Sequence, residues 1–268
     1  CIAGRRPVSK ATRTSVFAAG KKRSGLMLRS VREARIMEGS KRSMSGTRYY
    51  DSRLSGPRLR EVYDIAPARV RRYLRAEVEF VLDRVPSAGR VLDLGCGYGR
   101  IIPELLEKAA FVAGIDNSPA SLVYGRGFLA GRTGFALAAM DAARLGFVDS
   151  AFDAVVCIQN GVSAFKIPPR RLVQEALRVT RGGGIVLLSS YAAGFWPDRL
   201  DWFRLQAARG LVGEIDERRT RPGEIVCRDG FRAVTFGPDD FRELVRGLPV
   251  RAEVEEVDGS SLFCVLRP

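Results

Sequence analysis

Two hydrophobic periods alternate along this chain. Short apolar runs at 90–94, 111–116, 135–141, 152–158 and 185–190 read as β-strands. The run from Phe152 to Ile158 is almost unbroken, as expected for a strand covered on both faces. Helical spacing fills the gaps between the runs. It is plain at 168–179, and it recurs after Asn117-Ser118-Pro119, where capping residues precede a proline in the first turn. Strands that alternate with helices in this way predict a parallel sheet with right-handed crossovers. Upstream, Val70, Tyr73, Leu74, Val78, Val81 and Val85 recur at i, i+3 and i+4, which predicts an amphipathic helix after Ala66-Pro67. Arg69, Arg71, Arg72 and Arg75 fall mostly on its other face, which reads as a solvated basic face rather than a nucleic-acid surface. A shorter helical stretch surrounds 59–63. After Tyr191 the pattern changes. A helix is predicted at 197–209, and a hairpin at 224–229 and 231–236 turns at Asp229-Gly230. A further helix at 238–247 is followed by two strands, 250–257 and 261–267. No internal repeat is visible.

Composition narrows the reading. A chain of 268 residues holds one large domain or two small ones, and 46% hydrophobic residues can fill a core. The net charge of +14 suggests a polyanionic partner until it is located. Residues 1–45 hold 12 Lys/Arg and 2 Asp/Glu, leaving a net of only +4 for the rest. These 45 residues read as a basic, disordered extension with too little apolar surface to offset ordering. A transit-like leader to an organelle and an RNA-binding arm are the alternatives. Recognisable patterning begins just after Met44, a plausible native start. Five scattered cysteines without a Cys-x-x-Cys pair suit a reducing, cytoplasmic setting. The chain has no histidine, so the commonest metal ligand and the commonest general base are both missing. No apolar run approaches the 18 residues of a membrane span.

The chemistry centres on residues 90–100, Arg-Val-Leu-Asp-Leu-Gly-Cys-Gly-Tyr-Gly-Arg. A strand leads into a glycine turn, and a helical stretch from Ile101 follows. A dinucleotide fingerprint needs G-x-G-x-x-G, with glycine at position 100. Position 100 is Arg, and the third glycine is Gly99. Asp93, two residues before Gly95, serves a cation better than a pyrophosphate. At this point the stretch resembles motif I of the class I S-adenosylmethionine (SAM)-dependent methyltransferases, in particular the type 11/25-like domains. The resemblance is strong over 88–190 and extends over 238–268 by layout only.

The resemblance implies a Rossmann-like, mostly parallel seven-stranded sheet with helices on both faces and an antiparallel last strand. A small α+β insertion at 192–237 would lie over the acceptor site. Within 46–268, residues 88–190 would be the cofactor-binding core. It also implies SAM-binding roles for Asp93, Gly95, Cys96, Gly97, Gly99, Asn117 and Gln159. Asp116, at a strand end 17 residues beyond Gly99, would hold the ribose hydroxyls, and position alone supports this. Asp141 would accept from the adenine amine, with Met140 against the ring and Ala142 beside it. Gln159-Asn160-Gly161 would stand by the departing methyl group.

Other residues are open to two readings. Cys96 and Cys157 read as small buried residues rather than nucleophiles. Tyr49, Tyr50 and Tyr63 either close over the cofactor or pack on the sheet edge. Phe195, Trp196, Trp202 and Phe203 are candidates for an acceptor pocket, although core packing suits Trp202 and Phe203. Asn160 and Tyr191 are the catalytic candidates. Glu214, Asp216 and Asp229 are nearby groups able to take a proton, should the acceptor need to lose one. No metal-ligand cluster is apparent.

The expected activity is methyl transfer from SAM to a small molecule, with nucleic acid involved only through the basic tail and no membrane. An RNA or protein methyltransferase using that arm is the alternative. An NAD(P)-linked oxidoreductase or a silent nucleotide-binding protein is a second, disfavoured by Arg100 and by the absence of a Tyr-x-x-x-Lys pair.

Overall fold

A computed structural model describes residue 49 and residues 53–165 and 167–268. The expectations for 1–45, Met44 and Tyr50 lie outside the described residues. Five strands, β1 (Arg90–Leu94), β2 (Phe111–Asp116), β3 (Phe135–Ala139), β4 (Phe152–Cys157) and β5 (Thr180–Tyr191), pair in parallel. Two more, β8 (Arg251–Val257) and β9 (Ser261–Arg267), complete a seven-stranded sheet in the order β3-β2-β1-β4-β5-β9-β8. Strand β9 runs antiparallel to both neighbours. Strands β6 (Glu224–Val226) and β7 (Arg232–Val234) form a separate hairpin.

The alternation of the strands sorts their side chains into two cores. Leu92, Leu94, Ile115, Val155 and Val186 face helices α6 (Pro169–Val179) and α8 (Pro238–Val245). Val91, Val112, Ala154, Val156 and Leu187 face α2 (Ala68–Arg84) and α3 (Ile102–Leu106). Helix α4 (Pro119–Phe128) starts on Ser118, whose hydroxyl accepts from the Ser121 N–H. A third apolar cluster joins α1 (Pro57–Asp64) and the start of α2 to α7 (Trp196–Ala208) and the β6–β7 hairpin. Strands are added to one side of β1 up to β3 and to its other side from β4 onward, so the strand order switches between the parallel neighbours β1 and β4. In open α/β sheets that switch point is where ligands collect.

Several boundaries differ from the periodicity. Strand β3 stops at Ala139 because Asp141 starts a turn, its Oδ1 accepting the Ala143 N–H and its carbonyl the Arg144 N–H. Strand β5 begins earlier, at Thr180, and its pairing with β4 skips over the glycines 182–184. The hairpin strands are three residues each, shorter than expected. The short helix α5 (Gly161–Ala164) and a 3-10 turn at Ala193–Phe195 carry no periodic signal. Arg69 is not on the wet face: it bonds Asp258 at 2.7 Å and lies 4.9 Å from the Phe195 ring. No helix among the described residues is long and apolar enough to cross a membrane.

Candidate active site

The turn after β1 is built from backbone conformations that only glycine adopts cheaply. Gly95 and Gly97 have φ of +77° and +56°. Space is tight as well: a Cβ on Gly97 would stand 2.7 Å from the tip of Leu59, and one on Gly95 would stand 3.1 Å from the Phe165 ring, so each would have to push a side chain aside. The turn thus presents bare backbone to a cavity at the switch point. Asp93, Gly95, Cys96, Gly97, Asp116, Asn117 and Gln159 all line that cavity. Gly99 shapes the turn without lining it. Met140, Asp141 and Ala142 lie outside it; Met140 is buried in the sheet core, its sulfur accepting from Gly146 N–H, while Asp141 is exposed.

Charge is concentrated at the turn. Asp93 is 3% exposed, and its Oδ2 has no hydrogen-bond partner among the described residues. Burial pushes this carboxyl up to about 7, although the Arg100 guanidinium pulls it down. Asp116 holds the turn in place: one carboxylate oxygen accepts the Gly97 N–H at 2.9 Å, the other the Ser118 N–H at 2.8 Å. The helix cap itself is Ser118, which leaves Asp116 facing the cavity. Arg100 also lines the cavity, 4.8 Å from the centre of the Tyr63 ring. Sequence reasoning used Arg100 only to exclude a dinucleotide and missed it as a site residue. Its signal was its place directly after the third glycine.

The other half of the cavity is apolar. Leu54, Val62 and Tyr63 come from the N-terminal segment, and Trp202, Phe203, Gln206 and Phe231 from 192–237. Trp202 and Phe203 therefore line the cavity besides filling the core, whereas Phe195 and Trp196 do not line it. Tyr49 lies away from the cofactor end. Its hydroxyl donates to Asp229 at 2.9 Å and accepts the Gly213 N–H at 2.9 Å, and its ring packs on Phe231. Arg53 pairs with the same Asp229 at 2.6 Å. Asp229 is thus spoken for as a latch, and Glu214 pairs with Arg228 at the surface. Asp216 takes its own loop's Arg218 N–H. None of these three carboxylates lines the cavity.

The catalytic candidates divide. Asn160, at φ +61°, is a clamp: its Nδ2 donates to the Val234 carbonyl and its Oδ1 accepts from the Ser190 hydroxyl, both at 2.8 Å. It does not line the cavity. Tyr191 does, and burial holds its hydroxyl up at about 12, so it keeps its proton at neutral pH. Gln159 also lines it, with its Nε2 buried and without a partner among the described residues. Beneath lies Glu77, fully buried on α2, its Oε1 accepting from Ser189 and Ser261, both at 2.6 Å. Burial raises this carboxyl, against the pull of both hydroxyls. Cys96 and Cys157 are buried, and burial pushes both thiols up, which fits inert core residues. Among the described residues no cluster of Cys, Asp and Glu is placed to hold a metal ion.

Residues 91–184 match the family model described as a methyltransferase domain. Over 107 residues the chain is 35% identical to a demethylmenaquinone methyltransferase of Beutenbergia cavernae, covering 40% of this chain and 42% of that one. Over 135 residues it is 28% identical to a 2-methyl-6-phytyl-1,4-hydroquinone methyltransferase of a Synechocystis species, covering 47% and 42%. The matched region thus spans about two fifths of the length of each of these relatives. In fold, a crystal structure of a SAM-dependent methyltransferase from Aquifex aeolicus superposes with a TM-score of 0.54, at 14% identity, over 77% of this chain and 96% of that one.

Proposed function

Residues 91–184 form a class I SAM-dependent methyltransferase domain, and on that premise we propose that this chain transfers a methyl group from SAM to a small-molecule acceptor. The observation that carries the reading is one continuous cavity with two unlike ends. One end is the bare glycine turn with its carboxylates, and the other is an aromatic wall. The glycine end fits SAM. The unpartnered, buried Asp93 Oδ2 asks for a cationic or hydrogen-donating ligand, and Gly95 and Gly97 expose backbone to the cavity beside it. SAM, when bound, supplies a methyl group already activated on a sulfonium.

The residues of this chain then bind, orient and exclude water. Asp93 pairs with the ammonium of the amino-acid arm. Asp116, which lines the cavity at the carboxyl end of β2, would accept from the ribose hydroxyls. Asn117, which lines the cavity next to Asp116, would help hold the adenosine. Met140, Asp141 and Ala142 follow the end of β3 outside the cavity, and Asp141 would reach the adenine only from that side. Gln159 and Tyr191 present an amide and a protonated hydroxyl to the acceptor. The aromatic roof keeps the acceptor dry and in place, and positioning is the main task when the electrophile is already activated.

The two quinone-type relatives act on small molecules by name, which favours such an acceptor over RNA or protein. The near balance of charge beyond residue 45 points the same way. Isothermal titration of the full chain with S-adenosylhomocysteine (SAH), SAM, NADH and NADPH tests the proposal. Both adenosyl ligands are expected to bind and both nicotinamide ligands to be silent. NADH binding without an SAH signal would sink it.

A further inference from the structure

We propose that the acceptor is an uncharged, planar ring compound bearing a hydroxyl or carbonyl, and that Gln206 selects it; the inference rests on the cavity being the methyl-transfer site. Gln206 stands on α7 one turn beyond Trp202 and Phe203, on the same stripe. It is 3% exposed and lines the cavity. Its backbone carbonyl accepts from Leu211 N–H, but its carboxamide makes no hydrogen bond to any described residue. A buried primary amide normally has partners, because leaving it unpaired forfeits its hydration. Here the open direction is the cavity.

The neighbours of Gln206 define what it would bind. Leu54, Val62, Phe203 and Phe231 offer only apolar surface. Trp202 spends its indole N–H on the Val62 carbonyl at 3.0 Å, so its ring alone remains for a ligand. Gln206 is therefore the side chain of α7 with free hydrogen-bonding capacity toward the cavity, while Gln159 and Tyr191 stand at the sheet end. Flat aromatic walls suit a flat ring. The charged groups of the cavity, Asp93, Arg100 and Asp116, belong to the strand end and glycine turn of the cofactor half. A charged acceptor group against the α7 wall would lose its water, and the buried Arg199 of α7, packed against the Tyr191 and Phe203 rings, does not line the cavity to pair with it. A carboxamide both donates and accepts, so it serves a hydroxyl or a carbonyl equally.

The test uses the full chain saturated with SAH and three probes of one shape: 2-naphthol, naphthalene and 2-naphthoate. Calorimetry is expected to show 2-naphthol binding about tenfold tighter than naphthalene, the worth of one neutral hydrogen bond, with 2-naphthoate weakest. Gln206→Leu and the isosteric Gln206→Met are each expected to bring 2-naphthol to the level of naphthalene while leaving SAH affinity unchanged. The SAH titration shows that each variant is folded. Tightest binding of 2-naphthoate, or a preference for 2-naphthol that survives both substitutions, would overturn the assignment. Failure of SAH itself to bind would instead remove the methyl-transfer reading beneath it.

Discussion

Replacing Asp116 by alanine tests the centre of the site twice. In the ligand-free protein the carboxylate accepts two backbone N–H groups, from Gly97 and Ser118. A hydrogen bond to a charged acceptor contributes about 1.5–3 kcal/mol. Asp116 is only partly buried, so water replaces part of what is lost. The expected net loss is about 2 kcal/mol, which for a chain of this size lowers the melting temperature by roughly 4–8 °C. On the binding side, two ribose hydroxyls lose their acceptor and the Gly97 turn loses its tether. SAH affinity should fall by about 1.5–3 kcal/mol, roughly 10- to 150-fold. Asp116→Asn should fall between, because its oxygen still accepts one N–H while its nitrogen cannot accept the other. Differential scanning calorimetry and SAH titration read the two effects separately. If melting temperature and SAH affinity both stay within error in Asp116→Ala, the account of this residue is wrong.

Asp93 titrates near 7 because it is buried, so its protonated form is favoured in the empty fold. Its contribution to stability is fully present below the ordinary carboxylate range and is lost as pH rises through 7. Binding a cationic arm favours the ionised form, so SAH affinity should rise between pH 5.5 and 7.5, by up to about tenfold per pH unit, and Asp93→Asn should flatten that profile in calorimetry. Glu77→Leu strands the Ser189 and Ser261 hydroxyls in the core; denaturant unfolding should show a loss of about 2–5 kcal/mol, and a loss under 1 kcal/mol would refute the network. Asn160→Ala removes the link from Ser190 to Val234 and should cost about 1–3 kcal/mol, with SAH affinity nearly unchanged; a collapse of SAH binding in a folded variant would show that Asn160 does more than clamp Ser190 to Val234. A chain starting at Met44 should bind SAH like the full chain, and filter binding across a salt series should show RNA affinity lost with the basic segment.

The parallel strands were legible because each is a short apolar run set between helical stretches. Asp93, Gly95, Gly97 and Asp116 were legible because one turn needs all of them within a short span. The roof was not. Nothing local in the sequence joins Tyr49 to Asp229, 180 residues apart. Glu77 and Gln206 were missed for a different reason. Each is a polar residue in the middle of an apolar helical stripe, Glu77 between Tyr73 and Val81, Gln206 one turn past Trp202. A count of apolar positions passes over such residues, although a polar group at a core position is a strong sign of a network or a ligand. Asn160 misled because its place after β4 fits catalysis, while its side chain turns back to Ser190 and Val234.

The Asp229 latch has a consequence for engineering. Tyr49 and Arg53 come from before the sheet begins, and Gly213, Asp229 and Phe231 come from after its fifth strand. The roof is therefore a two-part graft whose halves recognise each other. A chimera that receives residues 192–237 from a relative while keeping its own N-terminal strap would set Tyr49 and Arg53 against a foreign hairpin turn. The strap would lose its anchor, and Leu54 its place on the wall. Moving acceptor preference between such proteins requires both pieces together.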